Sequence, residues 1–169
     1  MTVSLQTRGR CWVVGDNIPS DQIVKAQRVF WPMEEIVKHV LEDAHPGFAA
    51  GVAPGDVLVA GRHFGQSSGR AIATKAIKAT RVGCVVAEYF ARTFYRNAFE
   101  IGLPILEVRD IRAHVSDGDE LSVDVVAGTV RNERTGETIQ GQPTHPFLLD
   151  MLRAGGLIPM APALAGEQP

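Results

Sequence analysis

Four short apolar runs alternate with helical patterns along the first two thirds of the chain. They are "CWVV" at 11–14, "VLVA" at 57–60, "CVVA" at 84–87 and "PILEV" at 104–108. Each is too short for a helix, rich in β-branched residues and bounded by turn residues, so each reads as a buried strand. Between them, residues 33–45, "MEEIVKHVLEDAH", set Ile36, Val37, Val40, Leu41 and Ala44 on one face, with Pro32 at the entrance and Pro46 beyond the end. That spacing predicts a helix. Residues 68–80 predict a second helix on Ile72, Ala73, Ala76, Ile77 and Ala79. "ARTFYRNAFEIG" predicts a third, with Gly102 as its C-terminal cap before Pro104. Parallel strands need crossover connections, commonly helices, so this order points to an α/β fold with a mixed, partly parallel sheet flanked by helices.

After Asp110 the texture changes. "ELSVDVVAGTV" and "GETIQGQ" alternate like antiparallel strands, and "RNERTGET" between them reads as a hairpin turn around Thr135 and Gly136. "HPFLLDMLRAGG" predicts a closing amphipathic helix. The tail, 159–169, has little to bury and is expected to be loose. No linker divides the chain, so one domain over 1–169 is expected, with its core at about 9–158.

Composition narrows the function classes. A formal charge of −2 speaks against a nucleic-acid binder working through a large basic field. No apolar run approaches the roughly 20 residues that span a bilayer, and "MTVSLQTRGR" has no apolar signal segment, so the cytoplasm is the expected place. Cys11 and Cys84 lie inside strand-like runs and read as buried, reduced thiols. Two cysteines so far apart cannot supply the three or four thiolates of an iron–sulfur cluster. His39, His45, His63, His114 and His145 are scattered without metal-ligand spacing and read as surface or capping residues.

The stretch with chemical character is "HFGQSSGRAIATKAIKA", 63–79, a small-residue loop between a strand and a helix. Free amides and the dipole at a helix start favour an anion there, and Arg70 can pair two donors with a carboxylate. The same residues also fit a plain Ser68 N-cap beside a solvated arginine. No Gly-Lys-Ser/Thr follows and no Gly-x-Ser-x-Gly is present, so neither a phosphate-binding P-loop nor a nucleophile elbow is indicated.

Four stretches together carry a resemblance. "GDNIPSDQI" is similar to a Gly-Asp-Asn-Ile-Asp-Thr-Asp-Gln-Ile segment. "VAPGDVLVAGRHFG" is similar to Lys-Pro-Gly-Asp-Ile-Ile-Val-Ala-Gly-x-x-Phe-Gly, and "SSGR" stands at a Gly-Ser-Ser-Arg. "FARTFYRNAFEIGLPILE" matches a Phe-Ala-Arg-Ile-Phe-Tyr-Arg-Asn-Ala…Gly-Leu-Pro run. All belong to the small subunits of isopropylmalate dehydratase, in the aconitase superfamily, and they keep their order over about residues 9–108. The chain length suits a free-standing small subunit.

The resemblance implies a swivelling β/β/α domain that closes over a large subunit carrying a 4Fe–4S cluster, with no cluster bound by this chain. It implies a hydro-lyase acting on a small hydroxy acid, first choice the interconversion of 3- and 2-isopropylmalate. In that chemistry an open iron assists loss of the hydroxyl, a serine removes a proton beside a carboxylate, and an arginine holds the carboxylate. Ser68 falls at the base serine, and Arg70, Gly69 and Ser67 fall among the substrate-binding positions. The sequence departs from the family pattern nearby: Gln66 and Ser67 replace Cys-Gly, Gly69 replaces a second serine, and Ala71 and Ile72 replace a Glu-His pair. These departures keep open a homoaconitate- or dimethylmalate-type hydro-lyase, and a non-catalytic binding or regulatory module that retains the fold.

A second specificity element is implied in the loop after "SDQI", here "VKAQRVFWP". Arg28 is the candidate there for a second substrate carboxylate, with either Gln27 or Arg28 at the family's loop-arginine position. Val29, Phe30 or Trp31 are candidates to meet an alkyl group, or to pack on the core with Lys25 and Arg28 solvated. Arg96 and Asn97 stand either near the active site or behind the serine loop as support.

Overall fold

The structure is a computed structural model that describes residues 3–67 and 70–166. Seven strands form one sheet in the order β4-β3-β2-β1-β5-β6-β7. They are β1 (Gln6–Val13), β2 (Val57–Ala60), β3 (Cys84–Ala87), β4 (Ile105–Glu107), β5 (Glu120–Asp124), β6 (Thr129–Asn132) and β7 (Thr138–Gln140). The first four are parallel to one another and the last three join antiparallel, so the sheet is mixed and partly parallel as the element order predicts.

β1 serves both halves. Its Cys11–Val13 end pairs in parallel with Val57–Val59, and its Gln6–Arg10 end pairs antiparallel with Glu120–Asp124. The burial follows: the outer end of β1 alternates with solvent, while Cys11 and Trp12 are buried. β2 and β3 are buried at every residue, which explains why they read as unbroken apolar runs. Gly9 sits where β1 passes the turn before β2, and a Cβ there would lie 2.7 Å from the Gly55 carbonyl oxygen. The buried Asp56 carboxylate ties the same corner, accepting from the Trp12 indole at 2.9 Å, the Arg10 amide at 3.1 Å and the Ala53 amide at 2.9 Å.

The helices are α1 (Ser20–Ile23), α2 (Met33–Ile36), α3 (Phe48–Gly51), α4 (Ile72–Ala79), α5 (Arg92–Glu100), α6 (Pro146–Ala154) and α7 (Leu157–Leu164). α4 packs against α1 and α5, and α5 against α6. The expected helix over 33–45 is broken: α2 gives way to a 3-10 turn at Val37–His39, Val40 is extended, and Leu41 takes φ 57°. The β-branched Val37 and Val40 weaken a helix there. The break turns the Leu41 amide toward Ile23, whose carbonyl accepts it at 3.1 Å. Ile36, Val40 and Leu41 are all buried, so the apolar spacing serves the core without a continuous helix.

The predicted hairpin forms, with Gly136 at φ 75° and its amide donating to Asn132. His145 caps α6 by accepting from the Phe147 amide, and Gly155 ends that helix in the left-handed region. The tail differs from expectation. Leu157–Leu164 is helical because Gly155 and Gly156 turn the chain back, although none of its residues is buried and only Met160 packs on the core. No single helix among the described residues is long and apolar enough to cross a membrane.

Candidate functional site

The stretch 61–67 leaves the carboxyl end of β2, the place where open parallel sheets bind ligands. It is held on both sides by backbone pairing. On one side the Gly61 amide donates to Gly15, Gly65 to Ile18 and, in return, Asn17 to Arg62 and Ser20 to Gln66, at 2.8–3.1 Å. On the other side Phe64 donates to Tyr89 at 3.1 Å, and the Ala91 amide donates to Phe64 at 2.9 Å. The motif after β1 and the motif after β2 therefore continue the sheet past its regular strands.

Side chains lock this arrangement. Asp16 accepts from the Arg62 amide at 2.7 Å and from the Arg112 guanidinium at 2.6 Å. The Arg62 amide, aided by Arg112, holds the Asp16 carboxyl below the usual range. Phe64, Phe90 and Phe94 pack with ring centroids 5.1–6.2 Å apart beneath the loop. Gly65, at φ 82°, crosses directly over Phe94, where a Cβ would stand 2.4 Å from the ring. Ser67 then turns into the left-handed region at φ 84°, a conformation that favours glycine.

Ser68 and Gly69, expected as base and substrate contact, lie outside the described residues. Ser67 and Arg70 on either side of them are exposed. Arg70 lines a crevice of about 20 Å³ with Ser20, Asp21, Val24, Val29 and Ile72. The crevice thus joins three sequence features: the "SDQI" segment, the loop that follows it and the residues entering α4. α4 starts at Ile72 rather than at 68, and its cap position belongs to Ala71, whose side chain makes no capping bond. Ile72 gives the crevice an apolar wall.

Arg28 is paired within the chain. Its Nη2 donates to both Glu42 oxygens at 2.9 and 3.2 Å, and its guanidinium lies over Trp31 at 4.8 Å. Nη2 is thus taken up by Glu42, while Nε is buried without a partner among the described residues. Phe30 is 97% exposed, while Val29 is half-buried at the crevice. The pairing of Arg28 with Glu42, 14 residues apart, was invisible in the sequence because a single 3-10 turn at Ala26–Arg28 and a turn at Glu42 carry no period to align them. Asp16 was visible only as part of a motif. Arg96 lines a separate hollow with Tyr95 and Glu107. A hollow of about 500 Å³ over β1, β5 and β6 contains none of the expected site residues.

The cysteines and histidines do not make a metal site. Cys11 and Cys84 flank the same residue, Val57, from β1 and β3 and are fully buried. Burial pushes the Cys11 thiol up to about 11, and that of Cys84 up as well. Closed-in, protonated thiols do not fit the thiolates that a cluster requires. His39, His45 and His114 rest on Glu42, Asp117 and Glu137, and His63 lies edge-on to Tyr89. Among the described residues no group of three or more His, Cys, Asp or Glu is placed to hold a metal ion.

Comparison with known proteins places this architecture. Residues 49–110 match the family described as the aconitase C-terminal domain. The isopropylmalate/citramalate isomerase small subunit of Methanocaldococcus jannaschii is 42% identical over 153 residues, covering 90% of this chain and 91% of that one. The 3-isopropylmalate dehydratase small subunit of Pyrobaculum calidifontis is 47% identical over 152 residues, covering 89% and 94%. A crystal structure of 3-isopropylmalate dehydratase from M. jannaschii superposes with a TM-score of 0.88 at 29% identity, covering 95% of each chain. With sequence and fold agreeing along nearly their whole length, the chain belongs to the aconitase C-terminal domain family, among the isopropylmalate dehydratase small subunits.

Proposed function

We propose that this chain is the carboxylate-holding and proton-removing half of a two-chain hydro-lyase that interconverts 3- and 2-isopropylmalate. The observation that carries the reading is the placement of Arg70: exposed, it is brought to the carboxyl end of the parallel sheet, beside Val29 and Ile72, at a notch that alone has room for about one water. Arg70 beside the apolar Val24, Val29 and Ile72 suits an acid with a carboxylate next to an alkyl branch, with the Asp21 carboxylate at the same crevice. Arg70 would take that carboxylate in a two-donor pair. Ser68, two residues earlier, is assigned the proton beside it, with Ser67 the neighbouring hydroxyl. Gly69 leaves backbone without a side chain between them. The 4Fe–4S cluster is assigned to a large-subunit partner, because the buried thiols of this chain do not fit it.

Arg28 bears on the substrate. A homoaconitate-type acid needs a cation for its extra carboxylate, and the charge of Arg28 is already partly balanced by Glu42, which takes its Nη2. The exposed Phe30 and half-buried Val29 favour an alkyl-bearing acid instead. Citramalate, named for the M. jannaschii relative, and dimethylmalate are the smaller alkyl alternatives. The non-catalytic reading rests on Gly69, Ala71 and Ile72, which remove polar side chains the family has beside the arginine.

Arg70→Lys in the complex with the partner tests the grip. Lysine keeps the charge but not the planar fork, so turnover is expected to fall by about tenfold or more at an unchanged melting temperature. Wild-type turnover in this variant returns Arg70 to the solvated surface and removes the main support for the reading.

A further inference from the structure

Glu42 lies in none of the family motifs and does not line the Arg70 crevice, yet it gathers three basic side chains. Lys25 Nζ is 3.1 Å from Oε1, Arg28 Nη2 is 2.9 Å from Oε1 and 3.2 Å from Oε2, and His39 Nδ1 is 3.0 Å from Oε2. Lys25 and Arg28 belong to the stretch between α1 and α2, where Ala26–Arg28 forms a 3-10 turn; His39 belongs to the 3-10 turn that follows α2. The ring closes through Trp31, which Arg28 covers at 4.8 Å and which meets His39 edge-on at 5.8 Å. Residues 25–31 are otherwise short of regular backbone pairing, with three bonds inside the stretch, Arg28 to Lys25, Val29 to Ala26 and Trp31 to Arg28. Burial raises the Glu42 carboxyl, but hydrogen bonds from Arg28, Lys25 and His39 outweigh it and hold it at about 2. Glu42 is therefore ionised at any physiological pH and three-quarters covered.

We propose that Glu42 is a positioning residue for substrate selection: by fixing Arg28 it sets where Val29 stands at the crevice and where Phe30 points out from it. The inference rests on the reading above that this crevice takes the substrate. Isolated surface ion pairs do little. Glu42 differs because one carboxylate links Lys25 and Arg28 to His39 on the far side of α2, adding to the Lys25–Asp43 pair and the packing of Val29 on the core. Lys25 also has Asp43 at 3.1 Å, so losing Glu42 leaves Lys25 paired and strands Arg28. The effect should concentrate at Arg28, Trp31 and the two residues between them.

The test compares the full-length wild type with Glu42→Gln, a near-isosteric change, and Glu42→Asp, which keeps the charge. The first readout is acrylamide quenching of tryptophan fluorescence in the isolated chain. Trp12 is 3% exposed and Trp31 41%, so the quenchable signal belongs to Trp31. Quenching should rise by about half or more in Glu42→Gln as the stretch loosens, and return part of the way in Glu42→Asp. The second readout uses the complex with its cluster-bearing partner on isopropylmalate and citramalate. For Glu42→Gln, KM for isopropylmalate should rise about three- to tenfold with kcat within about twofold, and the preference between the acids should shrink. Unchanged quenching overturns the proposal. Raised quenching with unchanged KM and preference also overturns it, leaving a structural tie only. A wild-type complex inert on both acids overturns the functional reading and the selection role with it; the quenching result then decides separately whether Glu42 fixes the stretch.

Discussion

Replacing Gly65 by alanine addresses the loop without touching any proposed chemical group. The new Cβ would stand 2.4, 2.5 and 2.6 Å from Phe94 Cδ2, Cγ and Cβ, at a backbone φ of 82°. The left-handed conformation costs an alanine about 1–2 kcal/mol. Forcing one carbon into a packed cluster costs about 1–3 kcal/mol more. Phe94 cannot yield cheaply, because Phe64 and Phe90 hold its ring at 5.1 and 5.7 Å. The total is about 2–5 kcal/mol, which for a chain of this size lowers the melting temperature by roughly 4–20 °C. Thermal melts of Gly65→Ala and Gly15→Ala make the comparison. Gly15 has nothing within 4 Å of its Cβ position and should change stability by less than about 0.5 kcal/mol. Phe94→Leu in the Gly65→Ala background should recover about 1 kcal/mol relative to the sum of the single changes, since the two share one clash. Because the Gly65 amide also bonds Ile18, the surviving fold should carry a shifted loop, and a 1 Å shift is enough for roughly a 100-fold loss of rate. If Gly65→Ala melts within about 2 °C of wild type, the close packing of loop on Phe94 is wrong.

Three further outcomes follow from the same geometry. Ser68→Ala should lower turnover about 10²–10⁴-fold with little change in melting temperature, and Ser67→Ala with the double variant checks whether the neighbouring hydroxyl substitutes; turnover near wild type in the double variant removes the serine base. The stability gap between wild type and Glu42→Gln depends on pH in one direction: the folded carboxyl sits at about 2 against 4.5, so the gap is full above about pH 5 and shrinks as pH falls from 4.5 toward 2; denaturant melts across that range should show it, and a gap that grows on acidification contradicts it. Purified alone, the chain should be colourless and inactive, and a stoichiometric iron–sulfur absorption band would contradict the placement of the cluster on the partner.

The parallel half of the sheet was legible because fully buried strands leave unbroken apolar runs, as at Val57–Ala60 and Cys84–Ala87. The antiparallel half was legible from alternation around Gly136. The break after Ile36 was not, because Val40 and Leu41 fill the core at helix-like spacing whether or not the backbone is helical. Arg70 at the head of α4 was found from its motif, but its companions Ser20, Asp21 and Val29 come from another segment that only the fold brings near. The backbone pairing of 15–20 with 61–66 explains why those two motifs belong together, a relation that sequence order alone does not express.

The most direct measurement of the central claim mixes this chain with a cluster-bearing large subunit and follows 3-isopropylmalate in both directions, with each chain alone as control. The account predicts interconversion with 2-isopropylmalate only in the mixture, lowered about tenfold or more by Arg70→Lys and about 10²–10⁴-fold by Ser68→Ala. A stable mixture that carries an intact cluster yet leaves isopropylmalate and the smaller alkyl acids unchanged would contradict it.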